Sequence, residues 1–404
     1  MPILRTFVSH AHPDKPRVHA VLRRVAPYGV RPWIDEHDLH GKAGSSLKEV
    51  IPAAIGDPSC RSLSLFLSAD SVKSTWVHDE VGEALARIPD GWRIIPILLD
   101  PLSRLTLPPI IETALRKRGT GFDTIYLDPS APDFVEKYAA AVLDAGGATE
   151  AEDILLYLGQ RDPLWKPNLP APWSDALAVD LRLHFPLSER NSSPTDAEWS
   201  EIRAGFDFLG RRLGRVQSIR IAGLAPLGVG VIAGRTWDRG TTVTLEGWNG
   251  SARDGQAWTS AGASTVEGWT PSASKLLPAR TEGNLYAGAT KLTVAFLRKE
   301  DQLPATRAWN AARSPAPPLL FVKCPEMIGS AAEATAVLSE ALGVFAWVRK
   351  ACPNVQEIDL VLGLPLVLGA FLAHHLRQSG KINFYDQVVS PSGVVEYREA
   401  ISWS

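Results

Sequence analysis

Two stretches of the sequence decide its architecture because they repeat each other: Ile219–Leu227 has the sequence IRIAGLAPL, and Ile358–Leu366 has the sequence IDLVLGLPL. Their proline-leucine pairs are 139 residues apart, and the same offset relates Leu181–Pro186 (LRLHFP) to Leu320–Pro325 (LFVKCP). Strand, turn proline and helix start coincide at one offset, which predicts two copies of a strand–helix–strand–helix–strand unit. We place the copies at residues 176–250 and 315–390, within a domain of residues 174–404 bridged by residues 250–315.

Residues 1–145 alternate short apolar runs with amphipathic stretches long enough for crossover helices. This rhythm predicts an α/β domain with a parallel sheet, helices on both faces and a ligand site beyond the carboxyl ends of the strands. Residues 146–173 contain Gly146-Gly147 and four prolines around one apolar segment, Ile154–Leu158, and are predicted to be a linker. The predicted strands are Thr6–Ser9, Val30–Asp35, Ser62–Leu67 and Arg93–Leu98.

The composition is that of a folded protein, with 45% hydrophobic and 21% charged residues in 404. A net charge of −2 argues against a long nucleic acid as partner. We see no secretory signal and no uninterrupted apolar run of membrane length, so we expect a cytoplasmic protein without a membrane partner. Cys60, Cys324 and Cys352 lack the spacing of metal ligands, and we expect neither a metal nor a resident cofactor.

The clearest chemical motif is Ser71–Val81, with the sequence SVKSTWVHDEV. A polar loop enters a helix here, and Glu80 falls within the first turn or two of that helix. A carboxylate near a helix N-terminus is stabilised by the helix dipole. The pattern therefore fits either a functional carboxylate or a solvated surface glutamate.

This motif resembles the TIR domain family, specifically its NAD⁺-cleaving branch, in which a W-V-x-x-E signature carries the catalytic glutamate at the position of Glu80. Phe7–Ala11 (FVSHA), Gly29–Asp35 (GVRPWID) and Ser64–Ser68 (SLFLS) resemble further TIR motifs in the same order. The resemblance implies a flavodoxin-like TIR domain over residues 1–145, with NAD⁺ as substrate because no G-x-G-x-x-G follows the first strand. It implies NAD⁺ contacts at Ser9, His10, Trp33, Asp35 and Trp76. Trp33 fits a core residue at a strand end equally well, and Asp35 fits a residue that ends the strand and fixes the loop.

Residues 174–404 resemble the SAVED domain, a fused pair of CARF-like, Rossmann-like units that binds cyclic oligonucleotides. The two turns and the strand Lys381–Asp386 (KINFYD) carry this resemblance. It implies a pseudo-two-fold pocket for cyclic tri-adenylate, although each turn alone also fits a tight strand-to-helix connection. The expected pocket residues are Phe185, Pro186, Leu224, Pro226, Leu227, Gly228, Lys323, Gly363, Leu364, Pro365 and Leu366.

A TIR domain joined to a SAVED domain is an arrangement of cyclic-oligonucleotide-based antiphage signalling. It implies an NAD⁺ glycohydrolase that a cyclic oligonucleotide activates by driving self-association, with a filament as one form of the assembly. A non-enzymatic TIR scaffold that recruits a partner is one alternative. A TIR cyclase that makes cyclic ADP-ribose is another.

Overall fold

The structure is a computed structural model that describes residues 5–34, 55–56, 60–117, 126–150, 153–159, 177–180, 194–213, 216–237, 244–248, 258–259, 263–283, 288–376, 380–389 and 395–403. The chain divides into two compact units. Unit 1 contains Met1–Tyr157, Pro163–Leu183 and Asp207–Arg215; unit 2 contains Leu158–Asp162, His184–Phe206 and Val216–Ser404. Both units combine helices and strands, and the α/β prediction is confirmed.

Unit 1 contains a parallel sheet with the strand order β2-β1-β3-β4. An isolated parallel bridge between Ile97 and Leu127 adds a fifth position beyond β4. This is the strand order of flavodoxin-like, doubly wound sheets. The strands are β1 (Arg5–Ser9), β2 (Arg31–Trp33), β3 (Cys60–Leu67) and β4 (Arg93–Leu98). Each overlaps a predicted strand, but β2 is shorter than predicted, since Val30 and Ile34 lie outside it.

The buried strand β3 shows how helices cover both faces of this sheet. Leu63, Leu65 and Leu67 share a core with residues of the second and third helices. The alternate residue Ser64 faces the other way and accepts a hydrogen bond from Tyr138 of the fourth helix at 2.8 Å. Side chains two residues apart lie on one face of a strand, so the alternation fixes which helix each strand residue meets. The helices are α1 (Lys15–Val25), α2 (Thr75–Ala86), α3 (Pro109–Lys117) and α4 (Phe134–Ala145).

The apolar segment within the predicted linker is a strand, β5 (Asp153–Gly159), with Ile154, Leu156 and Leu158 buried. Its apolar residues alternate, which is the period of a half-buried strand. The predicted domain boundaries at residues 145 and 173 stay predictions. The elements that follow β5 are β6 (Leu177–Asp180), α5 (Asp196–Arg212), β7 (Ser218–Leu224), α6 (Leu227–Thr236), β8 (Thr244–Trp248) and β9 (Trp258–Thr259).

The last third of the chain forms a mixed six-stranded sheet in the order β10-β12-β11-β13-β14-β15. The four central strands are parallel, whereas β10 and β15 pair antiparallel at the edges. The elements are β10 (Ala279–Glu282), β11 (Lys291–Leu297), α7 (Leu303–Ala311), β12 (Leu319–Lys323), α8 (Ala331–Ala351), β13 (Glu357–Leu362), α9 (Leu366–His375), β14 (Lys381–Val389) and β15 (Val395–Trp403).

The internal repeat of the sequence recurs in the elements. Helices α6 and α9 have ten residues each, and both of their ends are related by the 139-residue offset. The prolines before them have matching backbones, with φ −54° and ψ 146° at Pro226 and φ −56° and ψ 146° at Pro365. In the first copy, β8 pairs parallel with β7 and antiparallel with β9. In the second copy, β14 pairs parallel with β13 and antiparallel with β15.

Helices α6 and α9 pack against each other through reciprocal contacts of small residues. A Cβ atom at Gly230 would lie 2.8 Å from the carbonyl oxygen of Leu366, and one at Gly369 would overlap the side chain of Leu227. The offset relates Leu227 to Leu366 and Gly230 to Gly369, so each contact is the counterpart of the other. Such reciprocity is the mark of a two-fold related interface.

Helix α8 is, within the described residues, the one helix long and apolar enough to cross a membrane by length and composition, with a mean hydropathy of 1.3. Half of the apolar 18-residue stretch of α8 is buried, and Val337, Ala341 and Val344 each expose 1% or less of their surface. Trp347 also packs edge-on with Trp269, with ring centroids 5.8 Å apart. This is the burial pattern of a core helix.

Candidate functional site at the carboxyl edge of the first sheet

Helix α2 brings Glu80 to the sheet. Ser74 caps the helix by accepting a hydrogen bond from the backbone N–H of Val77 at 3.4 Å, which satisfies one of the unpaired donors of the first turn. Val77 and Val81 are fully buried against the sheet. Glu80 lies between them in the second turn, as predicted, and only 9% of its surface is exposed. A solvated surface glutamate, the alternative left open by the sequence, does not fit this burial.

Ser9 is the hydrogen-bond partner of this carboxylate. It is the last residue of β1 and has no exposed surface, and its hydroxyl donates to Oε2 of Glu80 at 2.6 Å. O–H···O⁻ bonds to an ionised carboxylate typically span 2.5–2.7 Å. The carboxylate is thereby held at the carboxyl edge of a parallel sheet, where such folds bind their ligands.

A buried polar network fixes the loop that leads into α2. The Ser68 hydroxyl donates to Asp14, while the Ser68 backbone N–H donates to the hydroxyl of Ser71 at 2.7 Å. Burial raises the pKa of the Asp14 carboxyl, and the hydrogen bond from Ser68 opposes that shift. His78 lies in the first turn of α2 with Nε2 2.9 Å from the carbonyl oxygen of Val72. Sequence reasoning missed Asp14 and Ser68, because nothing local indicates that they meet across 54 residues.

Trp33 lies in the core of unit 1. Its exposed fraction is 6%, and its ring stacks on Phe7 with centroids 4.7 Å apart and planes 14° apart. This burial favours the core alternative that the sequence left open, and contact with NAD⁺ stays a prediction. Trp76, in contrast, is 43% exposed and lies four residues before Glu80 on α2.

The two other predicted NAD⁺ contacts are His10 and Asp35. His10 is half-buried, with Nδ1 3.4 Å from the carbonyl oxygen of Val8. Asp35 lies outside the described residues. The first site as described therefore consists of Glu80 with Ser9, next to the exposed ring of Trp76.

A cavity of about 530 Å³ in unit 1 has Arg17, Asp100 and Asp128 on its wall. Arg17 Nη2 lies 3.0 Å from Asp100 Oδ1. The backbone N–H of Ala69, which donates to Asp100 at 2.8 Å, is the main cause of a lowered pKa of that carboxyl. Of the predicted NAD⁺ contacts that the structure describes, which are Ser9, His10, Trp33 and Trp76, none lines this cavity.

Several residues predicted for the cyclic-oligonucleotide pocket pack against neighbouring elements. A Cβ atom at Gly228 would lie 2.7 Å from Trp199 Cη2, and one at Gly363 would lie 3.1 Å from the carbonyl oxygen of Phe296. Leu364 exposes only 6% of its surface. These residues fit the alternative of a tight strand-to-helix turn.

The other residues predicted for the cyclic-oligonucleotide pocket are partly exposed to solvent or lie outside the described residues. Pro226, Leu227, Pro365 and Leu366 are half-buried. Lys323 is exposed, and its Nζ lies 3.8 Å from Glu300 Oε1. Leu224 ends β7, its side chain is not described, and Phe185 and Pro186 lie outside the described residues. Among the described residues no group of three or more His, Cys, Asp or Glu side chains could hold a metal ion.

Solved structures similar over most of the chain are SAVED/CARF-domain containing receptors. The Acinetobacter baumannii Cap4 receptor with the cyclic trinucleotide 2'3'3'-cAAA is 12% identical at a TM-score of 0.47, over 89% of this chain and 86% of that chain. The same receptor with 3'3'3'-cAAA is 11% identical at a TM-score of 0.44, over 88% and 86%. The Moraxella osloensis Cap4 receptor is 12% identical at a TM-score of 0.41, over 89% and 86%.

No curated protein matches the chain. The family model of the TIR domain matches residues 6–126, a range that covers the four-stranded parallel sheet, Ser9 and Glu80. The N-terminal part of this chain is therefore a TIR domain.

Proposed function

We propose that the TIR domain cleaves NAD⁺ between nicotinamide and ribose, with Glu80 as the catalytic carboxylate. The observation that carries this proposal is Glu80 itself, a residue only 9% exposed whose carboxylate accepts a hydrogen bond from Ser9 at the carboxyl edge of the sheet. Adaptor function requires no such buried carboxylate, and burying one is costly unless it is hydrogen-bonded.

The chemistry needs a negative charge beside the sugar. Nicotinamide leaves as a neutral molecule, so positive charge develops on the ribose as the bond breaks. A fixed carboxylate stabilises this oxocarbenium-like charge, and partial burial strengthens the attraction by lowering the local dielectric. Water then adds to the sugar, giving ADP-ribose, nicotinamide and a proton.

Trp76 is the aromatic residue best placed to contact the substrate. Residues four apart lie on the same face of a helix, so its ring sits one turn from Glu80. With 43% of its surface exposed, it offers a face on which a planar ring can stack.

The second part of the proposal is that residues 174–404 bind a cyclic oligonucleotide, cyclic tri-adenylate in the first instance, and thereby activate the TIR domain. The duplicated fold supports it. Helices α6 and α9 start immediately after matched prolines, and their first backbone N–H groups are potential phosphate donors. Two equivalent helix starts on one pair of packed helices suit a single ring-shaped ligand with repeated phosphates.

Activation is proposed to proceed through self-association in the cytoplasm, as part of an antiphage response. A ligand shifts an equilibrium only by its differential affinity for the favoured state. The cyclic oligonucleotide therefore has to bind the assembled form more tightly than the free chain.

Glu80→Gln tests the chemical part, with Asp79→Asn as its matched control. Both changes remove one negative charge from α2, but Asp79 is exposed whereas Glu80 is buried. We measure nicotinamide, ADP-ribose and cyclic ADP-ribose released from NAD⁺ by the full chain with 2'3'3'- or 3'3'3'-cyclic tri-adenylate. Glu80→Gln is expected to lower turnover about 100-fold or more, and Asp79→Asn to leave it near wild type. Retention of more than about a tenth of the turnover by Glu80→Gln contradicts the assignment, and cyclic ADP-ribose as the main product identifies a cyclase.

A further inference from the structure

We propose that Ser9 is a positioning residue that fixes the catalytic carboxylate of Glu80, and not a contact to NAD⁺. This inference rests on the proposed function and changes the role that sequence resemblance gave to Ser9. Its basis is the 2.6 Å hydrogen bond from the Ser9 hydroxyl to Oε2 of Glu80.

Strand alternation dictates where the Ser9 hydroxyl points. Phe7 lies two residues earlier in β1 and belongs to the same core as Val77 and Val81 of α2. Ser9 shares that face of the strand, so its hydroxyl meets α2 at the level of Glu80. A hydroxyl on a face otherwise filled by apolar side chains needs a partner, since an unpaired one costs about 1–3 kcal/mol.

The burial of Ser9 argues against direct contact with substrate. Ser9 has no exposed surface, whereas Glu80 retains 9%. Glu80 is thus the member of the pair that retains access to solvent, and the Ser9 hydroxyl holds its carboxylate from the protein side. A hydrogen bond from a fixed hydroxyl restricts the rotation of the carboxylate that accepts it.

The test is Ser9→Ala in the full chain, with Ser62→Ala as the matched control. Ser62 is also buried in this sheet, at 1% exposure, and its hydroxyl has no hydrogen-bond partner among the residues that the structure describes. Steady-state NAD⁺ cleavage is measured with cyclic tri-adenylate. Ser9→Ala is expected to lower kcat by about 10- to 100-fold with KM within about two-fold of wild type, because misplacing a catalytic group acts on the chemical step. Ser62→Ala is expected to leave both constants unchanged.

A binding measurement separates the two roles without relying on turnover. NAD⁺ is titrated into Glu80→Gln and into Ser9→Ala combined with Glu80→Gln, by calorimetry. Equal dissociation constants support the positioning role. The positioning role is overturned if the double variant binds NAD⁺ more weakly, or if Ser9→Ala shows a raised KM or unchanged kinetics. An equal loss of kcat in Ser62→Ala overturns it as well. Failure of the proposed function shows separately, as continued NAD⁺ loss in Glu80→Gln.

Discussion

Replacing Gly234 by alanine tests the packing of α6 on α9. A Cβ atom at this position would overlap the carbonyl oxygen of Ala370 and lie 2.8 Å from its carbonyl carbon and 2.9 Å from its Cα. These are backbone atoms, so the helices must move apart. Overpacking of this kind typically costs about 1–3 kcal/mol, against a gain of about 1 kcal/mol from the higher helix propensity of alanine. Because the overlap involves the backbone, we expect a net loss of about 2 kcal/mol.

The control is Gly82→Ala in α2, where the nearest atom to a new Cβ is Ile110 Cδ1 at an ordinary 3.6 Å. Only the higher helix propensity of alanine acts there, so we expect the free energy of unfolding to rise by about 0.5–1 kcal/mol. Scanning calorimetry of the full chain measures both variants. A loss of about 2 kcal/mol corresponds to a fall in transition temperature of roughly 4–8 °C for a unit of this size. A Gly234→Ala protein as stable as Gly82→Ala refutes the close packing of the two helices.

Two further predictions concern buried side chains. Trp33→Ala is expected to cost about 3–5 kcal/mol of unfolding free energy, since its ring stacks on Phe7 in the core; a small thermal shift with a several-fold higher KM for NAD⁺ contradicts this and restores the substrate-stacking role. Burial raises the pKa of Asp386 to about 7, against an opposing hydrogen bond from the backbone of Gln387. The folded state then holds the proton of Asp386 more tightly than the unfolded state does. The free energy of unfolding therefore falls as pH rises from about 4 to 7, by up to about 4 kcal/mol. The transition temperature of Asp386→Asn is therefore expected to rise increasingly above that of wild type over this pH range, and to stay above it by a constant margin at higher pH. A difference in transition temperature that does not depend on pH contradicts the burial of a neutral Asp386 carboxyl.

The features predicted correctly from the sequence are those with a local period or a repeated motif. The four strands of the TIR sheet follow from short apolar runs separated by helical patterns, and the position of Glu80 follows from the residues around it. The repeat located the starts of α6 and α9 because the prolines before them recur at one offset. The strand β5 has an equally local signal in Ile154, Leu156 and Leu158, but the prolines that follow it favoured a linker.

The features that the sequence did not provide depend on contacts between distant residues. Ser9 and Glu80 are 71 residues apart, and neither motif says that their side chains meet. Asp359 shows the same limit, since the sequence reveals only a charge interrupting an apolar stretch. In the fold it is fully buried, pairs with Arg313, and lies with Oδ2 3.2 Å from Nζ of Lys291.

Under the proposed function, a cyclic oligonucleotide switches on NAD⁺ cleavage by Glu80. The most direct measurement follows NAD⁺ loss and light scattering together, over a series of protein concentrations, with and without cyclic tri-adenylate. We expect almost no NAD⁺ cleavage without the ligand. With it, particle size should grow and the cleavage rate should rise more steeply than the protein concentration, while Glu80→Gln should grow in size without consuming NAD⁺. Cleavage that is independent of the ligand and proportional to the concentration of a particle of unchanging size contradicts the claim.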